Sequence, residues 1–224
     1  DMKVSIPANQ GAGSLYSAII YSSSSGVTDD SGATTGASGN VGLSASGATL
    51  VFTNVPGKVH EDLQLEKLGP YDKSARKYMP YFTTAMPQSI GYSLKNSGNW
   101  AEAPVGSITV SGWFGRKVEI TNINPTKALV LIGQTRTFSS CIKYDEKEVA
   151  EARSNTPPTT CVDPGLWPGY YTVTADLYYG ANGNETQEII KSAGFWYLPW
   201  WFIALCIVVF GVAFYYGRKV YIKV

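Results

Sequence analysis

Residues 170–179 read YYTVTADLYY, in which large apolar side chains alternate with small or polar ones. A period of two places alternate side chains on opposite faces of an extended chain, so this stretch predicts a β-strand with one buried face. The next residues, GANGN at positions 180–184, are typical of a hairpin turn, and residues 185–191 supply the returning strand. This part of the chain therefore predicts an antiparallel β-sheet.

Further short strand patterns, separated by turn residues, precede this hairpin. They lie at residues 4–6, 15–21, 42–52, 59–68, 90–95, 107–113, 117–120, 128–132 and 134–140. Short strands at such spacing are typical of immunoglobulin-like sandwiches. We therefore expect an all-β chain with two immunoglobulin-like β-sandwich domains, the first over residues 1–86 and the second over residues 87–194.

Downstream of the hairpin, residues 195–216 read FWYLPWWFIALCIVVFGVAFYY and carry no charge. As a helix this stretch reaches about 33 Å, enough for a hydrocarbon core of about 30 Å. Aromatic and basic side chains of the kind found at membrane interfaces flank it: Trp196, Trp200, Trp201, Tyr215, Tyr216, Arg218, Lys219 and Lys223. The positive-inside rule then predicts a single-pass protein of the cell membrane, with its N-terminus outside and residues 217–224 as a cytoplasmic tail. The alternative is a buried core helix.

Two cysteines, Cys141 and Cys161, bracket an insertion in the expected second domain. It contains a stretch at residues 144–154 that could form a short helix. Outside the cell the two thiols can pair, and closing this loop would contribute on the order of 3 kcal/mol. The alternative is two free thiols in a reducing compartment. The third cysteine, Cys206, lies within the apolar stretch and is expected to be a small packing residue.

Composition and motifs disfavour several functional classes. The chain has 18 basic and 17 acidic residues, and three of the basic ones follow the apolar stretch, so the rest is weakly acidic and unsuited to nucleic acid. The single histidine, His60, has no neighbouring metal ligands, and no GxSxG motif occurs. Asp29 and Asp30 lie in a Ser/Gly/Thr-rich segment, residues 22–40, and are expected to be solvated. We expect no catalytic residue, metal or cofactor.

Several stretches together resemble the WxL-interacting surface proteins of bacteria. They are VSIPANQGAGSLYSAIIY at residues 4–21, GATLVFTNVPGK at 47–58, LKNSGN at 94–99, GSITVSGWFG at 106–115, PGYYTVTADLYYG at 168–180 and FWYLPW at 195–200. The resemblance implies two extracellular β-domains and a membrane exit, in a family whose members bind peptidoglycan and partner surface proteins. The long polar segment and the insertion between the cysteines depart from that pattern.

The expected first domain is short of strands. About four candidates precede Gly69, whereas a closed sandwich needs about seven. Leu15, Ile20, Leu50 and Phe52 would need a cover. We expect an N-terminally truncated family member, or a partner chain that supplies strands by β-augmentation.

The functional expectation is a non-catalytic surface protein that acts in adhesion or as a scaffold for cell-wall polymer or other surface proteins. The alternative is a carbohydrate- or peptidoglycan-binding module, in which Tyr78, Tyr81, Trp100 and Trp113 would stack on sugars. A hydrolase is the least favoured class.

Overall fold

The computed structural model describes residues 5–24, 44–151 and 157–221. The chain divides into two compact units, Asp1–Val59 and His60–Val224. Asp29 and Asp30, and most of the polar segment around them, lie outside the described residues.

The first unit contains one antiparallel hairpin, formed by β1 (Gly13–Ser24) and β2 (Ser44–Val55). Ser14 donates a hydrogen bond of 2.8 Å to Asn54 Oδ1 near its open end. Ile20, Leu50 and Phe52 are exposed, at 76%, 67% and 54%. A two-stranded sheet with so much exposed apolar surface is marginally stable by itself. Ser5 and Ile6 lie in no strand.

The second unit contains two sheets, two α-helices and short 3₁₀ turns. Its strands are β3 (Leu63–Asp72), β4 (Lys77–Tyr78), β5 (Phe82–Thr83), β6 (Ser89–Asn96), β7 (Val105–Gly112), β8 (Lys117–Thr121), β9 (Thr135–Cys141), β10 (Gly169–Tyr179) and β11 (Gln187–Tyr197). Its helices are α1 (Glu146–Glu151) and α2 (Trp200–Tyr221). One sheet has the order β5-β11-β10-β7-β8, and the other has the order β4-β3-β6-β9.

One hydrophobic core joins the two sheets. The expected alternation in β10 is confirmed, because Tyr171, Val173, Ala175, Leu177 and Tyr179 are all buried. The second sheet contributes Leu63, Leu65, Ile90, Tyr92 and Leu94 to the same cluster. The polar side chains between them in β10 face away from this core, which is why a period of two appears in the sequence.

The structure places several elements differently from the sequence expectation. The expected boundary at residue 86 does not coincide with the division at Val59, because β3 pairs with β6 from Leu63–Asn96 to Tyr71–Ser89. Residues 128–132 form only an isolated bridge, between Val130 and Glu102. The expected short helix between the cysteines is present as α1. The described part of the chain is mostly β-sheet with one C-terminal apolar helix.

The central position of β10 generates a prediction for stability. Leu177→Ala should lower the free energy of unfolding by about 2–5 kcal/mol, because Leu177 is fully buried and its truncation leaves a cavity. Ile190→Ala is the matched control, since Ile190 on β11 is 60% exposed, and it should change stability by less than about 1 kcal/mol. Denaturant unfolding of the full chain in detergent micelles measures both. Equal losses for the two variants would contradict the placement of the core.

Candidate membrane-anchoring site

Helix α2 is long and apolar enough to span a membrane, and no other helix in the described part of the chain meets that description. Its apolar stretch, Trp200–Lys219, is not buried against the rest of the protein. Phe210 and Phe214 are 74% and 72% exposed. Continuous apolar surface of this kind is characteristic of a face that contacts lipid or another protein.

The structure brings most of the expected anchor residues onto α2. Trp200 and Trp201 lie in its first turn, and Tyr215 and Tyr216 lie near its end with their rings 5.6 Å apart. Arg218 and Lys219 occupy its last turn, where positive charge interacts favourably with the helix dipole. The residues expected to form a separate tail therefore continue the helix as far as Tyr221.

The expected position of Trp196 is wrong, because this residue lies in β11 and not in the helix. The sequence predicts a helix from residue 195, but β11 extends to Tyr197 and the helix begins at Trp200. Phe195 and Tyr197 are buried in the core. The apolar side chains at the end of β11 are followed almost at once by those of α2. The sequence alone therefore shows one continuous apolar run.

The junction between β11 and α2 consists of Leu198 and Pro199. The Leu198 N–H donates a hydrogen bond of 2.9 Å to the Thr83 carbonyl of β5, so this residue still belongs to the sheet edge. The buried Pro199 has no N–H to extend the ladder, and its carbonyl accepts hydrogen bonds from Phe202 and Ile203. Sheet pairing therefore ends and helix pairing begins within two residues, without a loop.

Five aromatic side chains lie together next to this junction, and we call them the aromatic cluster. The cluster consists of Tyr81, Phe82, Trp113, Tyr170 and Trp196. Trp196 is at its centre, with ring centroids 5.4 Å from both Trp113 and Tyr170 and 6.5 Å from Phe82. Gly194 on β11 has no side chain, which leaves the space that the Tyr170 ring occupies.

The expected sugar-stacking residues do not form one platform. Tyr81 and Trp113 belong to the aromatic cluster and are 52% and 57% exposed. Tyr78 is half-buried, with its hydroxyl 2.7 Å from that of Ser93, and Trp100 is buried. The cluster partners Phe82 and Tyr170 were missed, because the pairing that brings them together joins strands distant in sequence.

A disulfide links Cys141 and Cys161, as the sequence predicts. Glu148 of α1 accepts hydrogen bonds from the N–H groups of Thr159 and Thr160, at 2.9 and 3.0 Å. A hydrogen bond from the Thr160 hydroxyl, together with these two from the backbone, lowers the pKa of Glu148. The end of the insertion is thus held in place by the disulfide and by the hydrogen bonds to the Glu148 carboxylate.

His60 is exposed, and its N–H donates a hydrogen bond of 2.7 Å to Asn99 Oδ1. Among the described residues, no group of three or more His, Cys, Asp or Glu side chains could hold a metal ion. Glu61, which follows His60, instead accepts a hydrogen bond from the turn between β10 and β11.

No protein-family model matches the sequence, and no curated protein or solved structure matches it. The resemblance to the WxL-interacting proteins has no support from these comparisons and stays an expectation.

Two carboxylates, which no sequence motif indicates, hold the turn between β10 and β11. Glu102 Oε2 accepts the Gly180 N–H at 3.1 Å, and Glu61 Oε1 accepts the neighbouring Ala181 N–H at 2.6 Å. Glu102 is 1% exposed, and its second oxygen, Oε1, is buried without a hydrogen-bond partner. Burial, with a smaller contribution from the nearby Glu61, raises the pKa of Glu102 to about 7.

Glu102 generates a prediction for the pH dependence of stability. Because its pKa is about 7 in the folded chain and ordinarily 4.5, ionisation favours the unfolded chain. The contribution of Glu102 to the free energy of unfolding should therefore be largest below pH 4.5, fall as the pH rises to about 7, and stay constant above that. The fall attributable to this group is on the order of 3 kcal/mol.

The uncharged Glu102→Gln variant should lack this fall and be more stable than the wild type above pH 7, since its amide oxygen can still accept the Gly180 N–H. Urea unfolding at a series of pH values measures the difference. Glu119→Gln, at an exposed position of β8, is the control and should keep the wild-type profile. A wild-type profile for Glu102→Gln would contradict this assignment.

Proposed function

We propose that the chain is a non-catalytic membrane protein, anchored by α2, that displays its β-rich region at the cell surface for adhesion or as a scaffold. The observation that carries this proposal is the continuity of β11 and α2. An apolar helix with no protein cover follows directly from a folded, disulfide-linked sheet structure. A bilayer supplies the apolar environment that α2 needs. The non-catalytic role rests on the sequence, which has one histidine and no nucleophile motif.

Two independent features favour an orientation with the β-rich region outside and the C-terminus in the cytoplasm. Arg218, Lys219 and Lys223 follow the apolar stretch, and basic residues favour the cytoplasmic side. The bond between Cys141 and Cys161 is of the kind that persists in oxidising compartments outside the cytoplasm. The positive charge and the disulfide lie on opposite sides of α2 along the chain, as this orientation requires.

We infer that the second unit has an immunoglobulin-like arrangement. Taking β3, β6, β7, β8, β9, β10 and β11 as strands A, B, C, C′, E, F and G gives one sheet with the order A-B-E and another with the order G-F-C-C′. The Tyr171 hydroxyl near the start of β10 donates a hydrogen bond of 2.8 Å to the Trp167 carbonyl. A tyrosine that bonds the backbone just upstream, at the start of strand F, is a hallmark of such sandwiches.

The orientation can be tested by protease digestion of intact cells that express the full chain with a C-terminal tag. We expect the tagged fragment to shrink to α2 and its flanks, because Arg218 and Lys219 hold the tag inside. Permeabilised cells are the control and should lose the tag as well. A β-rich region that is protected in intact cells would refute the orientation, and a chain that alkaline washing releases from membranes would refute the anchor.

The exposed rings of Tyr81 and Trp113 favour a second candidate, a carbohydrate- or peptidoglycan-binding module. Trp113 contacts the ring of Trp196, and the Tyr81 carbonyl accepts the Trp196 N–H, four residues before α2 begins. An inserted α2 would therefore keep both rings close to the lipid rather than in the cell wall. We therefore expect the Tyr81→Ala/Trp113→Ala variant, in detergent, to be retained on purified peptidoglycan to the same extent as the wild type. Trp167→Ala, which removes another exposed ring, is the control. A loss confined to the double variant would favour sugar binding.

A further inference from the structure

Strand pairing brings several separate segments to one end of the five-stranded sheet. Tyr197, the last residue of β11, pairs with Gly169 at the start of β10. Tyr171 of β10 pairs with Gly112 at the end of β7, where the turn Trp113–Gly115 leads into β8. Phe82 of β5 pairs with Trp196. The ends of five strands therefore lie beside the start of α2, and we call this the anchor end.

The height of the anchor end above the hydrocarbon follows from the short junction. Trp200–Lys219 has 20 residues, which reach about 30 Å as a helix and fill the hydrocarbon core. Only Leu198 and Pro199 separate Trp200 from Tyr197, the last residue of β11, and the three Cα–Cα steps between them span at most about 11 Å. The headgroup region on each side of a bilayer is about 5–8 Å thick. The last residues of β11 therefore lie within the lipid headgroup layer or at its outer edge when α2 spans the membrane.

The surface of the anchor end is rich in exposed aromatic side chains. Trp167 is 68% exposed and Phe82 61%, in addition to Tyr81 and Trp113. A groove of about 530 Å³ separates two of the rings and is lined by Trp113, Gly115, Arg116, Trp167 and Tyr171. Trp and Tyr favour membrane interfaces because one part of the ring system is apolar and another is polar.

Basic side chains accompany these rings. Arg116 lines the groove, and the neighbouring Lys117 begins β8; both are exposed. Guanidinium and ammonium groups bind phosphate oxygens by charge-assisted hydrogen bonds. Asp163 is also at this end. Burial raises the pKa of the Tyr197 hydroxyl, and the nearby Asp163 raises it further. The mixture of exposed rings and cations matches a headgroup layer better than it matches water.

The opposite end of the same sheet has a different composition. It contains the β10–β11 turn, whose N–H groups are held by Glu61 and Glu102, and the exposed Glu185. Strand β10 rises about 3.3 Å per residue, so the two ends are about 30 Å apart. The aromatic surface is thus specific to the end from which the anchor helix leaves.

We propose that the anchor end is itself a membrane-binding surface, seated among the phospholipid headgroups with Trp113 and Trp167 in the interface and Arg116 and Lys117 near the phosphates. The occupant of the groove is lipid of the bilayer that α2 spans. This inference rests on the proposed membrane anchoring and extends it, because the β domain is then held against the bilayer rather than standing away from it.

The experiment uses the full chain, labelled with 5-fluorotryptophan and reconstituted into phosphatidylcholine nanodiscs. Each ¹⁹F resonance is assigned by a Trp→Phe substitution at its position. The nanodiscs then contain either a lipid with a nitroxide on the headgroup or a lipid with a nitroxide deep in the acyl chain. A water-soluble gadolinium chelate reports exposure to solvent. Trp100 is the control within the same molecule. It lies near the end of the domain opposite to the anchor end, where its carbonyl accepts a hydrogen bond from the Asn96 side chain.

We expect the headgroup nitroxide to broaden the Trp113 and Trp167 resonances beyond detection at a fraction that leaves Trp100 unchanged. We also expect the gadolinium chelate to affect Trp113 and Trp167 less than their exposed fractions in the protein alone would suggest. Resonances of Trp113 and Trp167 that respond to gadolinium and not to the headgroup nitroxide would overturn the proposal.

The two proposals fail in distinguishable ways. Trp200 and Trp201 report the anchor, because they lie in the first turn of α2. Loss of their response to both lipid nitroxides would show that α2 does not insert, which would remove the proposed function and this inference together. A normal response at Trp200 and Trp201 with none at Trp113 and Trp167 would leave the anchor intact and overturn only the seating of the β domain.

Discussion

The abrupt change from sheet to helix pairing at Leu198 and Pro199 is the constraint on which the second unit depends. Leu198 donates its N–H to β5, and the Pro199 carbonyl begins the hydrogen bonding of α2. Phe195 and Tyr197, immediately before this point, are core residues of the sandwich. The same short segment therefore stabilises the folded sheets and fixes the point at which the helix leaves them. A flexible linker would separate these two roles, whereas this junction couples them.

The two ends of the five-stranded sheet are stabilised by different chemistry. Burial of Glu102 raises its pKa to about 7, and together with Glu61 it satisfies the N–H groups of the β10–β11 turn. This arrangement weakens as the carboxylate ionises without a compensating charge. The anchor end instead relies on ring packing around Trp196, which is insensitive to pH. The pH dependence that Glu102 contributes thus arises at the end of the domain farther from the anchor helix.

The sequence predicted local features well and pairing poorly. Alternation in β10 and the expected extracellular location of Cys141 and Cys161 led to a correct strand and a correct disulfide. The helix start was misplaced by five residues, because the buried face of β11 and the apolar surface of α2 form one uninterrupted run. The expected domain boundary at residue 86 separates β3 from β6, whereas the structure pairs these two strands, and no local pattern encodes that pairing. Glu102 lies in a segment without periodicity, so its burial depends on contacts that only the fold supplies.

The two sheets contribute unequally to the anchor end, and this has a geometric consequence. The aromatic cluster and α2 both belong to the five-stranded sheet, whereas the insertion that begins at Cys141 follows β9 of the other sheet. The insertion carries the acidic helix α1, whose carboxylates favour water over a headgroup layer. A domain seated by its rings would therefore place the five-stranded sheet nearest the lipid, while the carboxylates of α1 stay in water.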